Sequence, residues 1–170
     1  MSRPELSFVP DYQKYFDEPA GKEHYRLLES FVANKTGVVV DVGTLYGSSA
    51  LALSINKDVI VWTYDITDHI PQHAKIRDVS NIMFKLQNGI EAVKDFVDHT
   101  DLVVLDIDPH DGVQEKEFFD ELVKHKYKGV VVCDDIHLND AMETWWDAVT
   151  QKKEDVTDKG HWSGTGIVYF

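Results

Sequence analysis

The sequence has a single cysteine, Cys133, so no disulfide can close within the chain. That thiol ends the apolar run Gly129-Val130-Val131-Val132-Cys133, where a small buried hydrophobe is the ordinary reading and a catalytic thiol is not. Basic residues are scarce: 17 Lys and Arg stand against 30 Asp and Glu, for a net charge of −13. A surface that acidic repels phosphate backbones, which argues against DNA or RNA as a partner. The one local basic patch is Lys124, His125, Lys126 and Lys128, just ahead of Gly129, where cations complement a helix C-terminus. Long hydrophobic runs are also missing. No stretch approaches the ~20 apolar residues of a membrane span, and the first residues hold no apolar signal core. These absences predict a cytoplasmic protein with no membrane partner. No repeat, low-complexity tract or Gly/Ser-rich linker divides the chain. Its 170 residues predict one domain over 21–170, preceded by an aromatic and polar arm or lid over 1–20.

What is present is an alternation of two patterns. Tyr25, Leu28, Phe31 and Val32 recur near helical spacing and predict a helix over 22–34. Residues 37–42 are short, β-branched and continuously apolar but for Asp41, as a strand covered on both faces must be. Further strands are predicted at 59–65, 82–87, 101–106, 129–134, 153–157 and 166–170. Helices are predicted at 48–56, 89–98, 113–125 and 140–150, the last opening on Asp140 and Glu143 at capping-box spacing. The expected fold is α/β: a Rossmann-like, doubly wound, mostly parallel seven-stranded sheet with helices on both faces. Ligands on such sheets bind beyond the carboxyl ends of the strands.

Four apolar strands end in acids: Asp41, Asp65, Asp106 and Asp134. Asp135 follows directly, and Asp108 lies just past the fourth. Carboxylates gathered around one crevice repel one another unless cations or hydrogen bonds answer them, so the expected ligand brings positive charge or hydroxyl donors. The first loop reads Asp41-Val42-Gly43-Thr44-Leu45-Tyr46-Gly47-Ser48-Ser49. Gly43 allows close backbone approach, Gly47 brings the next helix near the sheet, and the serines fall at that helix's N-terminus. The same loop also reads as a tight strand-to-helix turn with capping serines. The spacing is neither the dinucleotide fingerprint nor a P-loop. Asp65, 24 positions after Asp41, suits ribose hydroxyls or simply begins a turn. Gln87 and Asn88 suit an adenine edge, or a turn at Asn88-Gly89.

The segments VVVDVGTLYGSSALALS, VWTYDI, DLVVLDIDPHDG and GVVVCDDIH together resemble class I S-adenosylmethionine-dependent methyltransferases. Within that class they resemble the metal-dependent O-methyltransferases of the catechol and macrolide-sugar types. The likeness runs over about residues 36–137 and rests on the order and spacing of the motifs. It implies a methyl transfer from S-adenosylmethionine to a small-molecule hydroxyl. It also implies that Asp41, Gly43, Thr44, Gly47 and Ser49 serve the cofactor's amino-acid end, and that Asp65, Ile66, Asn88 and Asp106 serve its nucleoside and methyl region. Asp106, Asp134 and Asp135 would hold a divalent cation. All-oxygen ligation suits Mg²⁺, or Mn²⁺ and Ca²⁺.

The chain departs from that pattern at Ile107-Asp108-Pro109-His110, where the catechol enzymes carry a lysine base. His110, or Asp108, is the substitute, since an imidazole titrates near neutrality. A loop histidine facing water is the plain alternative. Histidines 69, 110, 137 and 161 fall near the same edge, so two of them with an aspartate are a second metal-site reading, for a transition ion. The short chain leaves room for a homo-oligomer whose second subunit completes the substrate pocket. The rival functions are a metal-independent methyltransferase, a non-catalytic S-adenosylmethionine-binding module, and an NAD-dependent oxidoreductase, which lacks its G-x-G-x-x-G here.

Overall fold

The computed structural model describes residues 19–170, so the predicted arm or lid falls, but for its last two residues, outside the described chain. Helix α1 spans Pro19–Val32. The chain then alternates through β1 (Gly37–Val42), α2 (Ser48–Leu53), β2 (Val59–Asp65), β3 (Ile82–Leu86), α3 (Val93–Phe96), β4 (Thr100–Leu105), α4 (Val113–Lys124), β5 (Val130–Asp134), α5 (Asp140–Ala148), β6 (Lys152–Asp155) and β7 (Thr165–Tyr169). Short 3₁₀ turns at Lys75–Asp78 and Thr157–Lys159 complete it. The strands form one seven-stranded sheet in the order β3-β2-β1-β4-β5-β7-β6. Every pair from β3 to β5 is parallel, while β7 runs antiparallel to both β5 and β6.

Strand alternation divides the core in two. On one face Val39, Val61, Leu102, Val104 and Val132 pack with Leu28 and Val32 of α1 and with Leu51 and Leu53 of α2. On the other, Val40, Val42, Val103, Leu105, Val131 and Cys133 pack with Phe96, Phe118, Leu122 and Trp145. Cover on both faces is why these strands read as continuous apolar runs. Cys133 is buried in the second layer, and burial pushes its thiol well above the ordinary range.

Two differences from the predicted elements have a visible cause. The helix expected over 89–98 is a single turn, because Asn88 and Gly89 form a local turn in which Asn88 Oδ1 accepts from the Ile90 amide at 2.8 Å. Helix α5 is capped by Asn139 and not by Asp140. The Asn139 side chain accepts from the Ala141 and Met142 amides, both at 3.0 Å, leaving Asp140 inside the first turn. Among the described residues, no helix is long and apolar enough to cross a membrane.

Candidate active site

The register of the sheet assembles the site. Tyr64 of β2 pairs with Val42 of β1, Val42 with Leu105 of β4, and Leu105 with Cys133 of β5. The next step along that row carries Asp65, Gly43, Asp106 and Asp134. The Gly43 amide donates to the Tyr64 carbonyl at 2.9 Å and the Asp106 amide to the Val42 carbonyl at 2.9 Å, which holds the row together. All three acids of the row continue the parity of the residues that face α1 and α2. Between Asp65 and Asp106 the row has no side chain. Gly43 sits there at φ 106°, and a Cβ on it would meet the Asp106 carbonyl oxygen at 1.6 Å.

Beyond that row opens a cleft of about 340 Å³, within the range of small-molecule sites. Gly43, Asp65, Ile66, Asn88, Asp106, Asp108 and His110 all line it. Asp65 accepts the Leu45 amide on Oδ2 and the Thr67 amide on Oδ1, both at 2.9 Å. Ile66 is 73% exposed on the rim. Asp41, Thr44, Gly47 and Ser49 do not line the cleft. Asp41 is fully buried two residues back along β1 from Gly43, opposite Thr63, whose hydroxyl donates to it at 2.6 Å. Thr63 has one proton, so Thr44, 2.6 Å away, donates to Thr63 in turn. Burial raises the Asp41 carboxyl to about 7 against the opposing pull of the Thr63 hydrogen bond, and nearby Asp65 adds to the rise. Gly47 (φ 82°) packs on Ile76, and Ser49 lies in the first turn of α2.

The acids beyond Gly43 gather tightly. Burial pushes the Asp106 carboxyl well above the ordinary range, and Asp134, Asp135 and Asp41 push it further. Asp134 is 7% exposed, and its Oδ1 has no hydrogen-bond partner among the described residues. Asp135, at φ 59°, turns its two oxygens to opposite sides. Oδ2 lies 3.4 Å from His110 Nε2, while Oδ1 lies 3.3 Å from His161 Nδ1 and accepts from the Ser163 hydroxyl. Burial alone would raise the Asp135 carboxyl, but hydrogen bonds from His161 and Ser163 together with the charges of His110 and His161 bring it below the usual range. His110 Nε2 also stands 3.4 Å from Asp108 and 3.9 Å from Asp106, and the Asn139 side chain donates to the His110 carbonyl at 3.0 Å. Two groups therefore have metal-binding spacing: Asp106, His110 and Asp135, and Asp134, Asp135 and His161. Asp135 belongs to both.

His161 arrives because antiparallel β7 starts at this edge, beside β5, with Asp134 opposite Thr165. Of the other edge histidines, His69 lines the cleft, whereas His137 bonds Asp155 at 2.7 Å, outside both groups. One site residue carried no sequence signal. His24, on α1, is 3% exposed, both its ring nitrogens lack hydrogen-bond partners among the described residues, and Nδ1 lies 3.7 Å from Asp134 Oδ1. In the sequence it is one more polar position of an amphipathic helix.

No family model and no curated protein matches the sequence. Solved structures match the fold. The O-methyltransferase TomG from Streptomyces achromogenes, in complex with S-adenosylmethionine, superposes with a TM-score of 0.67 at 15% identity, covering 99% of this chain and 90% of that one. The S-adenosylhomocysteine-bound Podospora anserina methyltransferase PaMTH1 gives 0.69 at 13% identity, over 100% and 89% of the two chains. An O-methyltransferase from Bacillus cereus, also with S-adenosylhomocysteine, gives 0.63 at 12%, over 96% and 91%. This chain has the class I methyltransferase fold. The predicted Rossmann-like sheet, mostly parallel and seven-stranded, is the one observed.

Proposed function

We propose that the chain is an S-adenosylmethionine-dependent methyltransferase acting on a hydroxyl of a small molecule, with the help of a divalent cation. The observation that carries this reading is the row in which Asp65, Gly43 and Asp106 line one cleft, with the gap at Gly43, and Asp134 follows buried beside it. Neighbours of the same fold hold S-adenosylmethionine or S-adenosylhomocysteine. The residues fit such a ligand. Each Asp65 oxygen accepts one backbone amide and keeps a lone pair for a ribose hydroxyl. Ile66 offers an apolar rim to adenine, and the Asn88 amide nitrogen is free of the turn that uses its oxygen. The Thr44-Thr63-Asp41 relay lies behind the cleft and holds the loop that carries Gly43.

When bound, S-adenosylmethionine supplies a methyl group on a cationic sulfur, and Asp106 stabilises that charge. His110 stands on the cleft wall with Nε2 toward the acids, placed to take the acceptor's proton, and Asp108 lies within reach to share it. Alignment of acceptor and methyl by the cleft walls supplies the remainder of the catalysis. Asp106, Asp134 and Asp135 would hold the cation, and the orphaned Asp134 Oδ1 is the kind of buried acceptor a cation satisfies. Mg²⁺ or another divalent ion there would act as a Lewis acid, lowering the pKa of the acceptor hydroxyl. The test is release of S-adenosylhomocysteine against a panel of sugars, catechols, phenols and small hydroxy acids, with and without chelator. Turnover that chelator stops, and that Asp134→Ala abolishes, is expected. Turnover indifferent to both removes the cation from the reaction, and binding of the cofactor with no turnover of any acceptor contradicts the enzyme reading.

A further inference from the structure

The cation reading above treats the site as all oxygen, yet the group that contains the orphaned Asp134 oxygen also contains an imidazole. His161 Nδ1 lies 3.5 Å from Asp134 Oδ1, 3.3 Å from Asp135 Oδ1 and 2.6 Å from the Ser163 hydroxyl. The Ser163 proton goes to Asp135, so three oxygens face one nitrogen with no proton of their own to offer it. Either a proton on Nδ1 or a metal ion in its place answers those oxygens, and the spacing to the carboxylates favours the ion. The spacings to the two carboxylates exceed the ~2.9–3.0 Å usual for an N–H···O bond. They match the ~3.3 Å edge of a tetrahedral shell whose bonds are ~2.0–2.1 Å long.

A second observation is independent of the acids. His24 brings another buried imidazole to the same Asp134 oxygen, its ring centroid 5.8 Å from that of His161, with neither nitrogen hydrogen-bonded among the described residues and Nδ1 at 3.7 Å from the orphaned oxygen. Two imidazoles around a buried carboxylate pair are the donors of a borderline ion. Mg²⁺ favours oxygen and retains its waters, whereas imidazole suits Zn²⁺, Co²⁺, Ni²⁺ and Fe²⁺. We propose that Asp134, Asp135 and His161 bind a first-row transition ion in preference to Mg²⁺, with His24 as the next imidazole in line. The proposal rests on the cation-assisted reading of this edge and replaces its ion and one of its ligands. Asp135, through its other oxygen, connects that ion to the His110 and Asp106 side, where the cleft is.

The test uses the full chain freed of metal by chelator, titrated calorimetrically with Zn²⁺, Co²⁺ and Mg²⁺ separately. One Zn²⁺ or Co²⁺ per chain is expected, at least about 100-fold tighter than Mg²⁺. His161→Gln should weaken Zn²⁺ and Co²⁺ at least about tenfold while leaving Mg²⁺ within about twofold. In the unsubstituted Co²⁺ protein, a paramagnetically shifted imidazole N–H resonance reports the ligand directly, whether or not the variant folds. Equal affinity for Mg²⁺, no shifted imidazole signal, or no bound ion at all would overturn the proposal. The last outcome would leave His161 as a protonated counter-ion. A parallel titration with S-adenosylhomocysteine separates the two claims. Cofactor binding without a tight transition ion sinks this inference alone, and a tight ion without cofactor binding sinks the methyltransferase reading alone.

Discussion

At the scale of single residues, charge in a confined edge decides behaviour. Asp41 is the sharpest case. Its carboxyl titrates near 7 in the fold against 3.8 outside it, so the ionised form is disfavoured in the native state. The native state therefore loses stability as pH rises from about 4 to 7 and stays lowered above that. Asp41→Asn keeps an oxygen for the Thr63 hydroxyl and removes the charge. It is expected to raise the stability of the ligand-free protein by roughly 2–4 kcal/mol at pH 8 and by almost nothing at pH 4, measured by urea unfolding at both. His161 has the opposite sign. Burial alone would lower its pKa, but the carboxylates of Asp134 and Asp135 beside it raise it from 6.5 to about 10. In chelator, its contribution is whole below about pH 6.5 and fades as pH climbs through 10, so His161→Gln should flatten the fall in stability across that interval. Two amides hold Asp65 in place for a hydroxyl ligand. Asp65→Ala should weaken S-adenosylhomocysteine at least about tenfold with little change in the unfolding midpoint, as calorimetry and thermal melting would report.

At the scale of elements, most of the fold was legible because both rules that shape it are local. Apolar runs buried on two faces mark the strands, and the β2 strand spans the predicted 59–65. The parity argument places Asp65, Asp106 and Asp134 on one face once the register is known, and the register was the part not written in any single segment. The helix before β4 shortened where the Asn88 side chain competes with the backbone, and at α5, which starts at the predicted residue 140, only the cap moved, to Asn139. The loop after β1 is the element on which the cleft depends. Gly43→Ala would drive a methyl into the Asp106 carbonyl from a backbone conformation that L residues rarely adopt. It is expected to cost more than about 2 kcal/mol of stability and to close the cleft. Denaturant unfolding and cofactor titration of that variant should both change, and a variant with wild-type values in both would show the row to be wrongly drawn.

At the scale of the molecule, the sequence pointed to the edge and not to its partition. Acids at successive strand ends are visible as spacing, and the sheet gathers them. What spacing could not reveal is that Asp135 turns one oxygen to His110 and the other to His161, because that depends on a left-handed backbone at Asp135 and on a terminal strand running backwards beside β5. His24 was invisible for a related reason, since only α1 lying across the sheet brings it to Asp134. The fold, the empty position at Gly43 and the acids beside it all lead to one claim, that a sulfonium nucleoside occupies the cleft. Isothermal titration of the purified protein with S-adenosylhomocysteine, repeated with Asp65→Ala and with NAD, addresses it most directly. The account predicts one site per chain for S-adenosylhomocysteine, at least about tenfold weaker in the variant, and no heat with NAD. Absence of S-adenosylhomocysteine binding, or binding that ignores Asp65, would contradict it.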